Sequence, residues 1–353
     1  MKKKAVITGI GVVSPLGIGH QDFWNNLVSG NSAIAPMECL DLTKYECKKG
    51  AEVKGLNPEE FLGRKGLRYL NKGTKFLGSS AKLAVDDANL EIDEELSNQT
   101  GILIGSSLGN FSQTTDYFHD IIREGPSGLS PMQSYDVALN SSINYVSVLF
   151  KMKGFARTIS SGFTSSTDAI GNAIKLIQNG KAKVIIAGGV EQISLDLYMI
   201  FYMRKMLAGT DGSGNEISMP FDKRRNGFIM SEGSYVFVME DHEHAVSRGA
   251  KIYGEISGYG SLFSGGRNSD IEKRVEHVNK IARQLRKLTR DIKGSKNDTH
   301  KRLWDQSTSV LLKQYLYIFR NRNENYKLLE YSEYLRKQGH RKHCRVAYNF
   351  YVK

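Results

Sequence analysis

Apolar positions along this chain switch repeatedly between a period of two and a period near 3.6. Short β-branched runs at residues 4–13, 101–107, 156–161, 183–188, 234–240 and 251–259 predict strands. Between them, residues 20–29, 72–89, 110–123, 164–179 and 241–248 carry helical spacing. Ala169, Ile170, Ala173, Ile174 and Ile177 give the fourth of these helices one continuous apolar face. Strand–helix alternation of this kind predicts α/β layers around a largely parallel central sheet. Beyond residue 268 the pattern changes to a basic, Asn- and Tyr-rich tail, in which 310–319 and 326–335 read as amphipathic helices.

The segment ARTISSGFTSSTDAIG (156–171) is the most informative on the chain. A strand, a tight glycine turn and a helix start form an elbow that presents one side chain, that of residue 163, at a helix N-terminus. Free backbone N–H groups and the positive end of the helix dipole favour a thiolate or an oxyanion at such a place. The residue there is Phe163, which can use neither. Ser160, Ser161, Thr164, Ser165 and Ser166 crowd the turn, but a serine nucleophile needs a positioned base. None of His20, His119, His242 and His244 lies in a motif that would bring it there. These hydroxyls are expected to cap the helix instead.

Charge divides the chain unevenly. Of 49 Lys/Arg and 37 Asp/Glu, 22 and 9 fall within 265–353, which carries +13 and leaves residues 1–264 at −1. Cys39, Cys47 and Cys344 form no C-x-x-C or cysteine–histidine spacing, so no metal site is expected, and buried thiols in a reducing compartment are. No signal-peptide pattern opens the chain, and no apolar run reaches transmembrane length, so a cytoplasmic location is expected. Gly9 and Gly11 lack the third, helix-opening glycine of a dinucleotide fingerprint.

Four further blocks, AVITGIGVVSPLG (5–17), GILIGSS (101–107), VIIAGGVE (184–191) and PFDKRRNGFIMSEG (220–233), stand in order with the elbow. Together they resemble the β-ketoacyl synthases, the condensing enzymes of fatty-acid and type II polyketide assembly. The resemblance covers 1–260 and implies the N-terminal half of a thiolase-like α/β fold, followed by an unrelated basic tail at 261–353 that is mostly helical or disordered. It places Phe163 on the family's acyl-accepting cysteine. The family's later histidine- and lysine-bearing blocks have no counterpart, and His340 and His343, in GHRKHCR (339–345), match neither. Decarboxylating relatives carry glutamine at the cysteine position, and phenylalanine lacks its amide.

One member of the family needs no nucleophile: the chain-length factor of type II polyketide synthases. It pairs with a cysteine-bearing ketosynthase α subunit as a heterodimer and closes the tunnel into which the polyketide grows, while an acyl carrier protein supplies extender units. Its gates follow a Gly-x-Phe turn in the pattern Phe-x-x-Thr-x-x-x-Phe, matched here by Phe111, Thr114 and Phe118. Those offsets share a helix face, and an ordinary core-facing stripe has the same spacing. Leu197 or Tyr198 would add a further wall, and Phe228 would line the shared cavity. Asp222 and Arg224 read as turn-stabilising rather than as an ion site. No catalytic residue, cofactor or membrane partner is implied.

Two other readings stay open. The chain is a truncated ketosynthase remnant, its tail the product of a frameshift, or the basic tail with its interleaved tyrosines stacks on nucleic-acid bases. No named nucleic-acid module is present to support the latter. Half a thiolase fold would expose a large apolar face, which predicts poor solubility without a partner.

Overall fold

The computed structural model describes residues 3–125, 127, 136–220, 222–256 and 258–261. The chain divides into two compact units, one of Met1–Glu216 with Ile229–Phe263 and one of Ile217–Phe228 with Ser264–Lys353. Of the second, only Ile217–Pro220 and Asp222–Phe228 are described. There Asp222 accepts from the Arg224 backbone N–H at 2.8 Å and from its guanidinium at 3.1 Å. The side-chain and backbone hydrogen bonds from Arg224 hold the Asp222 carboxyl down at about 2, as a turn-stabilising pair would. The expected tail helices, His340, His343 and Cys344 lie outside the described residues.

The described strands of the first unit are β1 (Ala5–Ser14), β2 (Gly17–Ile18), β3 (Ala35–Pro36), β4 (Lys49–Ala51), β5 (Thr100–Gly105), β6 (Ala156–Ile159), β7 (Val184–Glu191), β8 (Met230–Ser231), β9 (Gly233–Asp241) and β10 (Gly254–Glu255). Its helices are α1 (His20–Val28), α2 (Pro58–Leu62), α3 (Lys72–Asp87), α4 (Glu94–Ser97), α5 (Phe111–Glu124), α6 (Ser141–Leu149), α7 (Ser165–Gln178), α8 (Leu195–Met203) and α9 (His242–Ser247).

The main sheet runs β10-β1-β9-β7-β5-β6, with β2 on the end of β1. It is mixed rather than largely parallel. Only β6-β5-β7 is parallel, and β9 runs antiparallel to both β7 and β1. Periodicity reports which residues face a core, not strand direction, so this could not be seen along the chain. The strand expected at 251–259 shrinks to Gly254–Glu255, paired with Val6 and Ile7.

Alternate residues of each central strand enter different cores. Ile102, Ile104, Val184, Ile186, Val236 and Val238 pack with α3 and α6 on one face. Leu103, Ile185, Ala187 and Met239 pack with α7 on the other. Burial on both faces explains why β7 is apolar for seven residues, VIIAGGV, and each buried Ile or Leu contributes about 1.5–3 kcal/mol. Helix α3 lies directly on β1, because a Cβ at Gly9 or Gly11 would fall 2.1 Å from the Ala84 carbonyl oxygen or 1.8 Å from that of Ser80. Helix α8 was not apparent from periodicity. Its sequence, LDLYMIFYM, is apolar nearly all round and so carries no stripe.

Candidate functional site

The elbow forms where β6 ends, the chain turns through Gly162 at φ +71°, and a 3-10 turn over Gly162–Thr164 feeds α7. Two glycines on neighbouring strands make room for it. Gly105 of β5 pairs in register with Gly189 of β7, and both face the start of α7. A Cβ on Gly105 would lie 2.2 Å from the Ser165 carbonyl carbon, and one on Gly189 would lie 1.8 Å from Ser166 Oγ. Gly105 and Gly189, within the GILIGSS and VIIAGGVE blocks, are thus glycine because the start of α7 sits against them.

Phe163 is 77 % exposed and stacks on Phe201 of α8, with ring centroids 6.0 Å apart and planes at 21°. The ring is open to the surface of this chain rather than enclosed. The neighbouring hydroxyls do not cap α7 as expected, since Thr164 at its N-cap makes no side-chain capping hydrogen bond. Ser160 Oγ donates to the Ser107 carbonyl at 2.9 Å, and Ser165 Oγ donates to the Gly162 carbonyl at 2.5 Å while accepting from Ser161 N–H at 2.9 Å.

Ser161, Thr164 and Tyr259 turn their hydroxyls toward Asp168 in the first turn of α7. A carboxylate accepts these more strongly than they could accept from amide N–H groups, which is why capping loses. Burial alone pushes the Asp168 carboxyl up, but hydrogen bonds from Ser161, Tyr259, Ser261 and Thr164 outweigh it and hold the carboxyl below its ordinary value. His244 is hydrogen-bonded to Glu240 and His20 lies 4.0 Å from Asp87, so neither serves the elbow as a base. Among the described residues no His/Cys/Asp/Glu group could hold a metal ion.

Helix α5 follows the turn after β5, with Asn110 at its N-cap. Phe111 is 40 % and Phe118 56 % exposed, and no residue of α5 is buried. Thr114 Oγ1 donates to the Val137 carbonyl at 2.9 Å. Helix α8 packs beside α5. Leu197 and Tyr198 are buried on its inner side, the Tyr198 hydroxyl donating to the Cys47 carbonyl at 2.8 Å. In this chain both belong to the packing behind α8, whereas Phe201, Leu195 and Met203 are partly or largely exposed. Phe228 lies in the second unit. Cys47 is buried as expected, but Cys39 is exposed.

Buried and half-buried polar residues that sequence reasoning missed surround the start of α5. Asn110 Nδ2 donates to the Asp136 carbonyl at 2.9 Å and to its carboxylate at 3.0 Å. Asp136 also accepts from Asn71 N–H at 2.6 Å and from Thr74 Oγ1 at 3.2 Å. Glu191 accepts from Ser107 N–H at 2.8 Å and Ser106 Oγ at 3.3 Å. Burial pushes both carboxyls up, against the hydrogen bonds that they accept. Their partners lie far away along the chain, so no local pattern announces them.

Residues 2–245 match the β-ketoacyl synthase N-terminal domain, and the chain belongs to that family. It is 34 % identical to the 3-oxoacyl-[acyl-carrier-protein] synthase 2 of Synechocystis sp. over 259 residues, 73 % of this chain and 62 % of that protein. The Vibrio cholerae protein of the same name is 32 % identical over 260 residues, 73 % of this chain and 63 % of its own length. The chain therefore spans less than two thirds of these relatives.

Solved structures share the fold at 24 % identity. A β-ketoacyl synthase from Burkholderia phymatum has a TM-score of 0.70 over 81 % of this chain and 71 % of that one. The ishigamide ketosynthase/chain length factor has 0.68 over 74 % and 64 %. The type II polyketide ketosynthase AntDE, solved with its acyl-carrier protein AntF, has 0.68 over 81 % and 71 %. The fold is α/β and thiolase-like. Among the described residues no helix is long and apolar enough to cross a membrane.

Proposed function

We propose that this chain is a non-catalytic, chain-length-factor-like subunit. It pairs with a cysteine-bearing ketosynthase and shapes the tunnel that receives a polyketide from an acyl carrier protein. The observation that carries the reading is Phe163: the elbow is built, with its paired glycines and short turn, yet the side chain it presents has no atom that could bond an acyl group. The condition of Phe111 and Phe118 supports it. A core stripe would be buried, whereas these rings stand at the surface, where a partner or substrate can meet them. Residues 1–260 would form the ketosynthase-like domain and the basic 261–353 segment a separate arm, suited to an acidic carrier protein.

The test is acyl transfer. Incubated with a radiolabelled acyl carrier protein, the chain is expected to take up no label while a ketosynthase partner does. A covalent adduct on this chain alone would falsify the proposal. In the reconstituted pair, Phe111→Ala or Phe118→Ala should lengthen the product, and unchanged lengths in both would remove their gating role.

The curated relatives favour a second reading, since those named are 3-oxoacyl-[acyl-carrier-protein] synthases. The chain is then a ketosynthase derivative in which Phe163 has ended turnover and nothing replaced it. Failure to bind any ketosynthase, with no effect on product length, selects this reading.

A further inference from the structure

Helix α5 buries none of its residues, so apolar anchoring, which ordinarily fixes a helix's position, is weak here. Its first turn is held by polar contacts at alternate residues instead. Asn110 is bound to Asp136 and Thr114 to the Val137 carbonyl. Between them, Ser112 Oγ accepts from Nε2 of Gln192 at 2.9 Å.

The other end of the same amide, Oε1, accepts from the Gly73 N–H at 2.6 Å, in the first turn of α3. A backbone N–H can only donate, so it fixes which end of the amide faces α3 and turns the NH2 toward α5. Gln192 is itself only 8 % exposed. The next residue, Ile193, donates its N–H at 3.1 Å to buried Glu232, which also takes the Lys72 ammonium at 2.6 Å. The Gln192 side chain is therefore a bracket between two helix starts, with its own backbone pinned.

We infer that Gln192, acting through Ser112, is a positioning residue that sets the placement of Phe111 and Phe118, and so a determinant of product length. Ser112 directly follows Phe111, and one helical residue corresponds to a 1.5 Å rise and about 100° of rotation. A small slip of this turn moves both rings. The inference rests on the reading of α5 as the tunnel gate.

The test uses the full chain bound to a cysteine-bearing ketosynthase and supplied with malonyl-loaded acyl carrier protein. Hydrogen exchange over 111–124 and product length are read together. Ser112→Ala and Gln192→Met should each speed exchange in the first turns of α5 about fivefold, the loss of one net hydrogen bond. The double variant should add little to the larger single effect. Product lengths should broaden in step, and Ser112→Thr, which keeps the hydroxyl, should restore both readouts.

Unchanged exchange in Ser112→Ala overturns the bracket. Faster exchange with unchanged product lengths leaves the bracket standing and overturns the assignment of α5 as gate. Ser112→Ala keeps the test readable if Gln192→Met, which also strands the Gly73 N–H, fails to fold.

Discussion

At position 105 the facing backbone leaves no room for a side chain, while at 163 the side chain stands 77 % exposed. Gly105→Ala would drive a methyl to 2.2 Å from the Ser165 backbone, and neither strand nor elbow can retreat without breaking the register pair. Denaturant unfolding should show a loss of about 3 kcal/mol, the upper range for overpacking. Phe163→Ala removes one exposed stacked ring, so the loss should stay under about 1 kcal/mol by the same measurement. A larger loss would mean that the ring is structural and that its identity says little about function. Phe163 was legible because the elbow is one contiguous run of sequence. Asp168, Asp136 and Gln192 were not, since each takes its role from partners elsewhere in the fold. Gln192 and Ser112 lie 80 residues apart.

Elements that alternate or carry a stripe were predicted close to their observed bounds: β1, β5, β9, α3, α5 and α7 among them. Failures came where the pattern carries no phase. Helix α8 is apolar nearly all round, and the 251–259 run pairs with β1 over only two residues. One connection between elements carries an electrostatic prediction. Glu240, fully buried at the end of β9, is held by Arg248 after α9, by Thr8 of β1 and by His244 Nδ1 at 2.8 Å. Arg248 also donates to the Ala88 and Asn89 carbonyls, both at 3.0 Å, and so fastens α9 to the end of α3. Arg248→Ala leaves a buried carboxylate without its guanidinium and should cost about 3–5 kcal/mol in thermal or denaturant unfolding. Near-neutral behaviour would show that the carboxyl simply protonates.

Over the whole molecule these carboxyls pull stability in opposite directions with pH. Burial raises the Glu240 carboxyl, but its hydrogen bonds, with that of Arg248 foremost, more than offset this and leave it depressed. Its contribution is therefore present above the unfolded value and lost as pH falls through the folded one. Asp136 and Glu191 are raised by burial, so they cost stability at neutral pH, and the cost is relieved as they take up protons above the ordinary carboxylate range. Stability against pH should first rise on acidification and then fall. A monotonic fall from neutral pH would show that these two carboxyls do not titrate in this way. The proposed pairing makes a separate prediction at this scale. Phe118, Ile122, Phe163 and Met203 are 56–82 % exposed, so the chain alone should have a low soluble yield and recover when co-expressed with a cysteine-bearing ketosynthase. A monodisperse monomer at micromolar concentration would count against a missing partner. By itself, the order of residues determined the α/β class, most element bounds and the odd occupant of the elbow. These depend on neighbours within a turn or a strand. Strand direction, the glycine pair that seats the elbow, the polar bracket on α5 and the exposure of its phenylalanines were decided only in three dimensions. Each depends on groups that meet after the chain has folded back on itself.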